Sequence, residues 1–196
     1  MRKKPRQERS RQMVERIVSA GRDVLIRDGY AGFATNRVAD TADVSPGSLY
    51  QYFHDKDELL AVVLDRYWDE VAERVSASLA DRFDDPPDRL VRNTIDALLG
   101  ALERDSHLLR VVVEEIPARR LTDRRLALRR RIEELVTAYL SVRPDVQGRI
   151  ATKAWVIVAG MEGLAVRWVL DQPPIPRDKV VDELTALAER YVAPAA

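Results

Sequence analysis

The chain has 196 residues, with 32 basic against 32 acidic side chains, 46% apolar and 6% aromatic residues, two histidines and no cysteine. That length supports one or two domains with a real core, the missing cysteine excludes a disulfide framework, a thiolate zinc site and a cysteine nucleophile, and no apolar run approaches the ~20 residues that span a bilayer. The basic first residues lead into no apolar signal core, so a soluble, cytoplasmic, mostly helical protein is expected, and ten Lys and Arg against four Asp and Glu through Arg37, a net +6 balanced by −6 beyond it, suggest a polyanion-binding surface in the N-terminal part.

Residues 1–9 read as a flexible basic arm that includes Arg2, Lys3, Lys4, Arg6 and Arg9. From Ser10 to Asp28, Val14, Ile17, Val18, Gly21, Val24 and Leu25 recur at steps of three and four, the stripe of an amphipathic helix, and Gly29 can take the left-handed conformation that ends it. After the connector Tyr30 to Phe33, Thr35 is expected to cap a short helix over about 36–42, with Val38, Ala39 and Ala42 facing inward. Asp43-Val44-Ser45 breaks the chain. Ser45 then caps a second short helix, with Pro46 at its first position and Leu49, Tyr52 and Phe53 inside. Two short helices around a tight break make a helix-turn-helix. Asp55, with Glu58 three residues on, forms a variant capping box for a long helix with the stripe Leu59, Val63, Tyr67, Val71, Val75 and Leu79, stopped by Asp84-Asp85-Pro86-Pro87. Periodic segments at about 88–103, 106–117, 123–141, 145–170 and 178–192 complete an all-α chain of about nine helices.

A recognition helix must bring its first residues into a major groove ~12 Å wide. Gly47 and Ser48 are small enough to let the backbone approach. Ser45, Ser48, Tyr50 and Gln51 offer hydroxyls and an amide to phosphates or base edges, and Gln51 can pair bidentately with adenine. Leu49 and Phe53 fill the inner face, which turns Tyr50 outward, whereas Tyr52 divides between core and contact. Lys56 stands in the first turn of its helix, where a cation opposes the macrodipole unless an anion lies nearby. Thr35 and Arg37 are similarly placed at the preceding helix. His54 is either a further phosphate donor or a solvated loop residue.

The run Thr35-Asn36-Arg37-Val38-Ala39-Asp40-Thr41-Ala42-Asp43-Val44-Ser45-Pro46-Gly47-Ser48-Leu49-Tyr50-Gln51-Tyr52-Phe53, followed by Lys56 and Leu59, resembles the DNA-binding segment of the tetracycline-repressor (TetR) family over about residues 9–60. The resemblance implies a DNA-binding domain over 10–57, with a phosphate contact at Lys56, and a ligand-binding and dimerisation domain over 58–196. It further implies a homodimer on a palindromic operator, most simply a repressor released by a small-molecule effector. Two positions depart from the family pattern. Asp43 stands where glycine is common, at modest cost because Asp tolerates positive φ. Pro46 replaces a basic or small polar residue, which predicts fewer phosphate contacts.

By the same resemblance the last two helices pair with their copies, and the residues lend support. The penultimate helix is apolar on several faces, as a helix with neighbours on all sides must be, and Gly160 and Gly163 suit close helix approach. Ala151, Trp155, Val158, Gly160, Gly163, Leu184, Leu187 and Tyr191 are the expected interface. Candidates to line an effector pocket are Tyr67, Trp68, His107, Leu108, Val112, Glu115, Trp155 and Met161. An enzyme is disfavoured. Neither histidine has the Glu-x-x-His spacing of a di-iron site, a phosphate-binding glycine loop is missing, and two histidines make a Ser/His triad unattractive. No catalytic residue, metal or cofactor is therefore expected. A DNA-binding regulator or activator acting without a small-molecule effector shares every motif above.

Overall fold

The computed structural model describes residues 4–80, 87–117 and 123–193. Among these residues there are nine α-helices and no strand: α1 (Lys4–Gly32), α2 (Thr35–Thr41), α3 (Pro46–Tyr50), α4 (Lys56–Ala80), α5 (Pro87–Glu103), α6 (Ser106–Arg110), α7 (Asp123–Ser141), α8 (Ile150–Asp171) and α9 (Arg177–Val192). A π-helical turn, Val111–Glu115, continues α6 directly. The all-α expectation holds. The stop at Asp84-Asp85-Pro86 and the residues Arg2 and Lys3 lie outside the described residues. Helix α1 begins at Lys4, inside the segment read as a flexible arm.

Two compact units form. In the first, built from the described residues up to 67 and from 107 to 117, α1 packs on α2 and α2 on α3, and Gly21 of α1 lies against Leu59 and Val63 at the start of α4. Ile17, Val18, Val24, Leu25, Phe33, Val38, Leu49, Leu59 and Leu64 are buried together. Gly21 fits this packing closely, because a Cβ there would stand 3.0 Å from Val63 Cγ2, which would have to give way by a few tenths of an ångström. The π-helical turn packs on α1 within the same unit.

The second unit takes the described residues of 68–106 and 123–193. Helices α5, α7 and α9 each pack on α8, and α5 also packs on α9, so α8 is the central helix of this unit. Arg177 binds α9 to α5, donating to the Asp96 carbonyl (2.6 Å) and pairing with Glu103 (3.0 Å). It lies over Gly100, where a Cβ would stand 3.0 Å from its Nη2. Glu162 of α8 pairs with Arg125 (2.9 Å) and Arg129 (2.6 Å) of α7, and the Arg125 guanidinium sits 5.4 Å from the centre of the Trp68 ring. Helix α8 starts at Ile150, five residues after the expected start, and ends where Gln172 takes a left-handed conformation (φ 46°).

Candidate nucleic-acid interface

The helix-turn-helix is α2 and α3 with the break between them. Ala34, in extended conformation, occupies the cap position of α2 and has no side chain to cap with, so Thr35 is the first helical residue and not the cap. Its hydroxyl is engaged elsewhere, 3.0 Å from the Tyr50 hydroxyl, which ties the start of α2 to the end of α3. Asn36 accepts from the Arg37 backbone N–H (2.9 Å). At the break, Asp43 adopts φ 52°, the strain-tolerant role expected of Asp in place of glycine. Val44 N–H donates to the Ala39 carbonyl and Arg16 donates to the carbonyl of Asp43 (3.4 Å), so the turn is fastened back to α1.

Ser45 caps α3 as expected. Its Oγ accepts from Ser48 N–H (3.1 Å) and lies 2.8 Å from Ser48 Oγ, and Pro46 takes the first helical position. The helix ends at Tyr50, three residues short of the expected Phe53, because residues 51 and 52 form a turn. Leu49 and Phe53 are buried, whereas Ser45, Pro46, Gly47, Gln51 and His54 are exposed, Ser48 and Tyr52 half-buried, and Tyr50 keeps 54% of its surface in solvent. A Cβ on Gly47 would meet only Ser45 Oγ, at 3.9 Å, so that end of the helix presents a low, open surface. Asp55 Oδ1 accepts from the N–H groups of Asp57 (2.9 Å) and Glu58 (2.8 Å), and Glu58 reaches back to the His54 N–H. The box is thus displaced by one residue from its usual form.

Two basic side chains on this face are held by neighbours that periodicity alone does not identify. Lys56 Nζ lies 5.0 Å from the centre of the Tyr30 ring, within cation–π range. Arg37 pairs with Asp28 (3.3 Å), which also binds Arg27 (2.8 Å). Hydrogen bonds from Arg27, with Arg37 second, push the Asp28 carboxyl down to about 2. An acid at the C-terminal end of α1 opposes the macrodipole, and that misfit was the available signal for Asp28. Tyr30 gave none that distinguishes it from core.

The remaining candidates separate. Tyr67, Leu108 and Val112 are buried in the first unit, and Trp68 and Met161 in the second, while His107, Glu115 and Trp155 are exposed. The Glu115 carboxylate accepts from Tyr30 N–H (2.8 Å). Of the expected interface, Val158 and Leu184 belong to the core of the second unit, since helical period turns them away from the exposed side, whereas Ala151, Trp155, Gly163, Leu187 and Tyr191 are exposed and Gly160 half-exposed. Among the described residues no group of three or more His, Asp or Glu is placed to hold a metal ion, and no helix is long and apolar enough to cross a membrane.

Residues 17–63 match the family model described as bacterial regulatory proteins, tetR family, and residues 86–191 match the tetracyclin repressor-like C-terminal domain. The chain is 27% identical to the HTH-type transcriptional activator FasR of Mycolicibacterium smegmatis over 91% of its own length and 80% of FasR. It is 29% identical to the HTH-type transcriptional regulator CymR of Pseudomonas putida over 94% of its length and 93% of CymR. A crystal structure of a transcriptional regulator from Rhodococcus sp. RHA1 shares the fold at a TM-score of 0.73, with 24% identity over 93% of this chain and 98% of that one. The helix-turn-helix at the N-terminus and both matched regions lead to one conclusion: the chain belongs to the TetR family of DNA-binding bacterial transcriptional regulators.

Proposed function

We propose that the protein is a homodimeric repressor that binds a palindromic operator and is released from it by a small apolar or amphipathic effector. The observation that carries the dimer is the apolar face left uncovered on α8 and α9: Trp155 keeps 57% and Leu187 50% of its surface in solvent, with Val156, Leu164 and Tyr191 also exposed. Gly160 and Gly163 stand in the same helix with nothing within 4 Å of a Cβ built on them. Large apolar side chains left exposed on two packed helices support an interaction site there. Two-fold pairing would give two heads, as a palindrome read in successive turns about 34 Å apart requires.

In each head, Tyr50 and Gln51 face the base edges, and Lys56, Thr35, Arg37 and Ser48 position the protein on the backbone. Effector binding shifts the population from a DNA-competent to a released state. Because FasR is named an activator, activation through the same head is the second reading, and a promoter fusion with the operator moved upstream separates the two. The dimer is tested by light scattering of the wild-type protein and of Gly163→Leu. Nothing lies within 4 Å of a Cβ built on Gly163, so the variant is expected to be folded and monomeric, with the wild type dimeric. A dimeric Gly163→Leu would remove this face from the interface.

A further inference from the structure

Glu115 lies outside the helix-turn-helix, yet its carboxylate reaches the DNA-binding head. Oε2 accepts the Tyr30 backbone N–H at 2.8 Å. The approach depends on Gly29, whose φ of 69° and ψ of −178° fall in a region essentially restricted to glycine and whose missing Cβ would stand 2.6 Å from that same oxygen. Tyr30 is held from its other side by Phe33 N–H, which donates to its carbonyl (3.3 Å). The ring carried by this anchored backbone lies beside Lys56, whose Nζ is 5.0 Å from its centre. On the Glu115 side, the Ile116 N–H bonds to the Val111 carbonyl (3.1 Å), an i→i+5 closure that adds one residue to the turn. Val111, Val112 and Ile116 are buried, so core packing fixes the turn that aims the carboxylate. These contacts form one continuous path: π-helical turn, Glu115, Tyr30 backbone, Tyr30 ring, Lys56.

We propose that Glu115 is a positioning residue for DNA binding, which sets the Lys56 ammonium through Tyr30 and so makes operator affinity depend on the winding of the turn at 111–115. The proposal rests on the reading of Lys56 as a phosphate contact. A one-residue change of register in the turn rotates the residues after it by about 100°, enough to withdraw the carboxylate and leave Lys56 without its oriented ring.

The test is a double-mutant cycle on the full-length protein, read as equilibrium binding to the duplex it enriches from genomic DNA, at fixed low salt. Glu115→Ala is expected to weaken binding about 3- to 10-fold, and Glu115→Gln, which keeps an acceptor for the N–H, to restore most of it. Tyr30→Leu keeps the backbone bond and removes the ring, so it is expected to give a similar loss and serves should Glu115→Ala fold poorly. In a Lys56→Ala background both losses are expected to shrink to less than about 2-fold, since coupled residues are non-additive. Full additivity, with Lys56→Ala itself impaired, would overturn the proposal and leave the phosphate contact standing. Unimpaired binding by Lys56→Ala would overturn both.

Discussion

Asp28, Gly29 and Tyr30 perform three different tasks in consecutive positions. Asp28 restrains Arg37, Gly29 turns the chain, and Tyr30 presents its ring to Lys56. Gly29→Ala forces a Cβ into a backbone region reserved for glycine, and a loss of roughly 1–3 kcal/mol in thermal or denaturant unfolding is expected. Two carboxylates of the head are depressed by arginine hydrogen bonds: Asp28 to about 2, chiefly by Arg27, and Glu15 below its usual range, chiefly by Arg66. A depressed folded-state value means stability that is fully present above the ordinary carboxylate range and lost as pH falls toward the folded value. The head is therefore expected to weaken below about pH 4. Asp28→Asn should be less stable than the wild type at neutral pH, with the two unfolding curves converging near pH 2. A constant gap across that range would contradict the assignment. At the DNA face, Tyr50→Ala and Lys56→Ala are expected to lower operator affinity. Lys56→Ala alone should reduce the slope of log affinity against log salt, by about 1, because only the phosphate contact releases a counterion.

At the level of elements, the sequence was most informative where side-chain chemistry is local. The cap at Ser45 with Pro46 behind it, the acid pair Asp55 and Glu58, and the helical stripe of α1 each depend on residues within a turn of one another, and each was legible. The shortening of α3 to Tyr50, where a local turn at 51 and 52 takes over, and the winding of 111–115 into a π-turn were not, and the second of these involves contacts distant in sequence. In the turn, Ile116 is buried while Glu115 is held at Tyr30, 85 positions away. The same limit explains the interface residues. Sequence supplies an apolar α8 but not which of its faces the protomer itself covers, so Val158 and Leu184 read like Trp155 and Leu187 until packing separates them. Packing also predicts a cost: Gly21→Leu would drive its side chain into Val63, Phe33 and Leu59, and overpacking of this kind is expected to destabilise by about 1–3 kcal/mol, measured as a lower unfolding midpoint.

Across the whole molecule, zero net charge conceals the excess of +6 through Arg37, and α1 carries much of that charge. A polyanion would meet a chain that is neutral on average through its basic part, so DNA affinity should fall with salt although the isoelectric point is near neutrality, less steeply than a lysine in place of Pro46 would make it. The central claim is that the exposed face of α3, with Lys56 at the head of α4, reads an inverted repeat as a dimer. It is tested most directly by selecting binding sites from sheared source genomic DNA with the purified protein at low salt, in parallel with a Tyr50→Ala, Lys56→Ala double variant. The account predicts enrichment of an inverted repeat with half-site centres about one helical turn apart by the wild-type protein and its loss with the variant. Equal enrichment by both proteins, or no enriched sequence with the wild type, would contradict it.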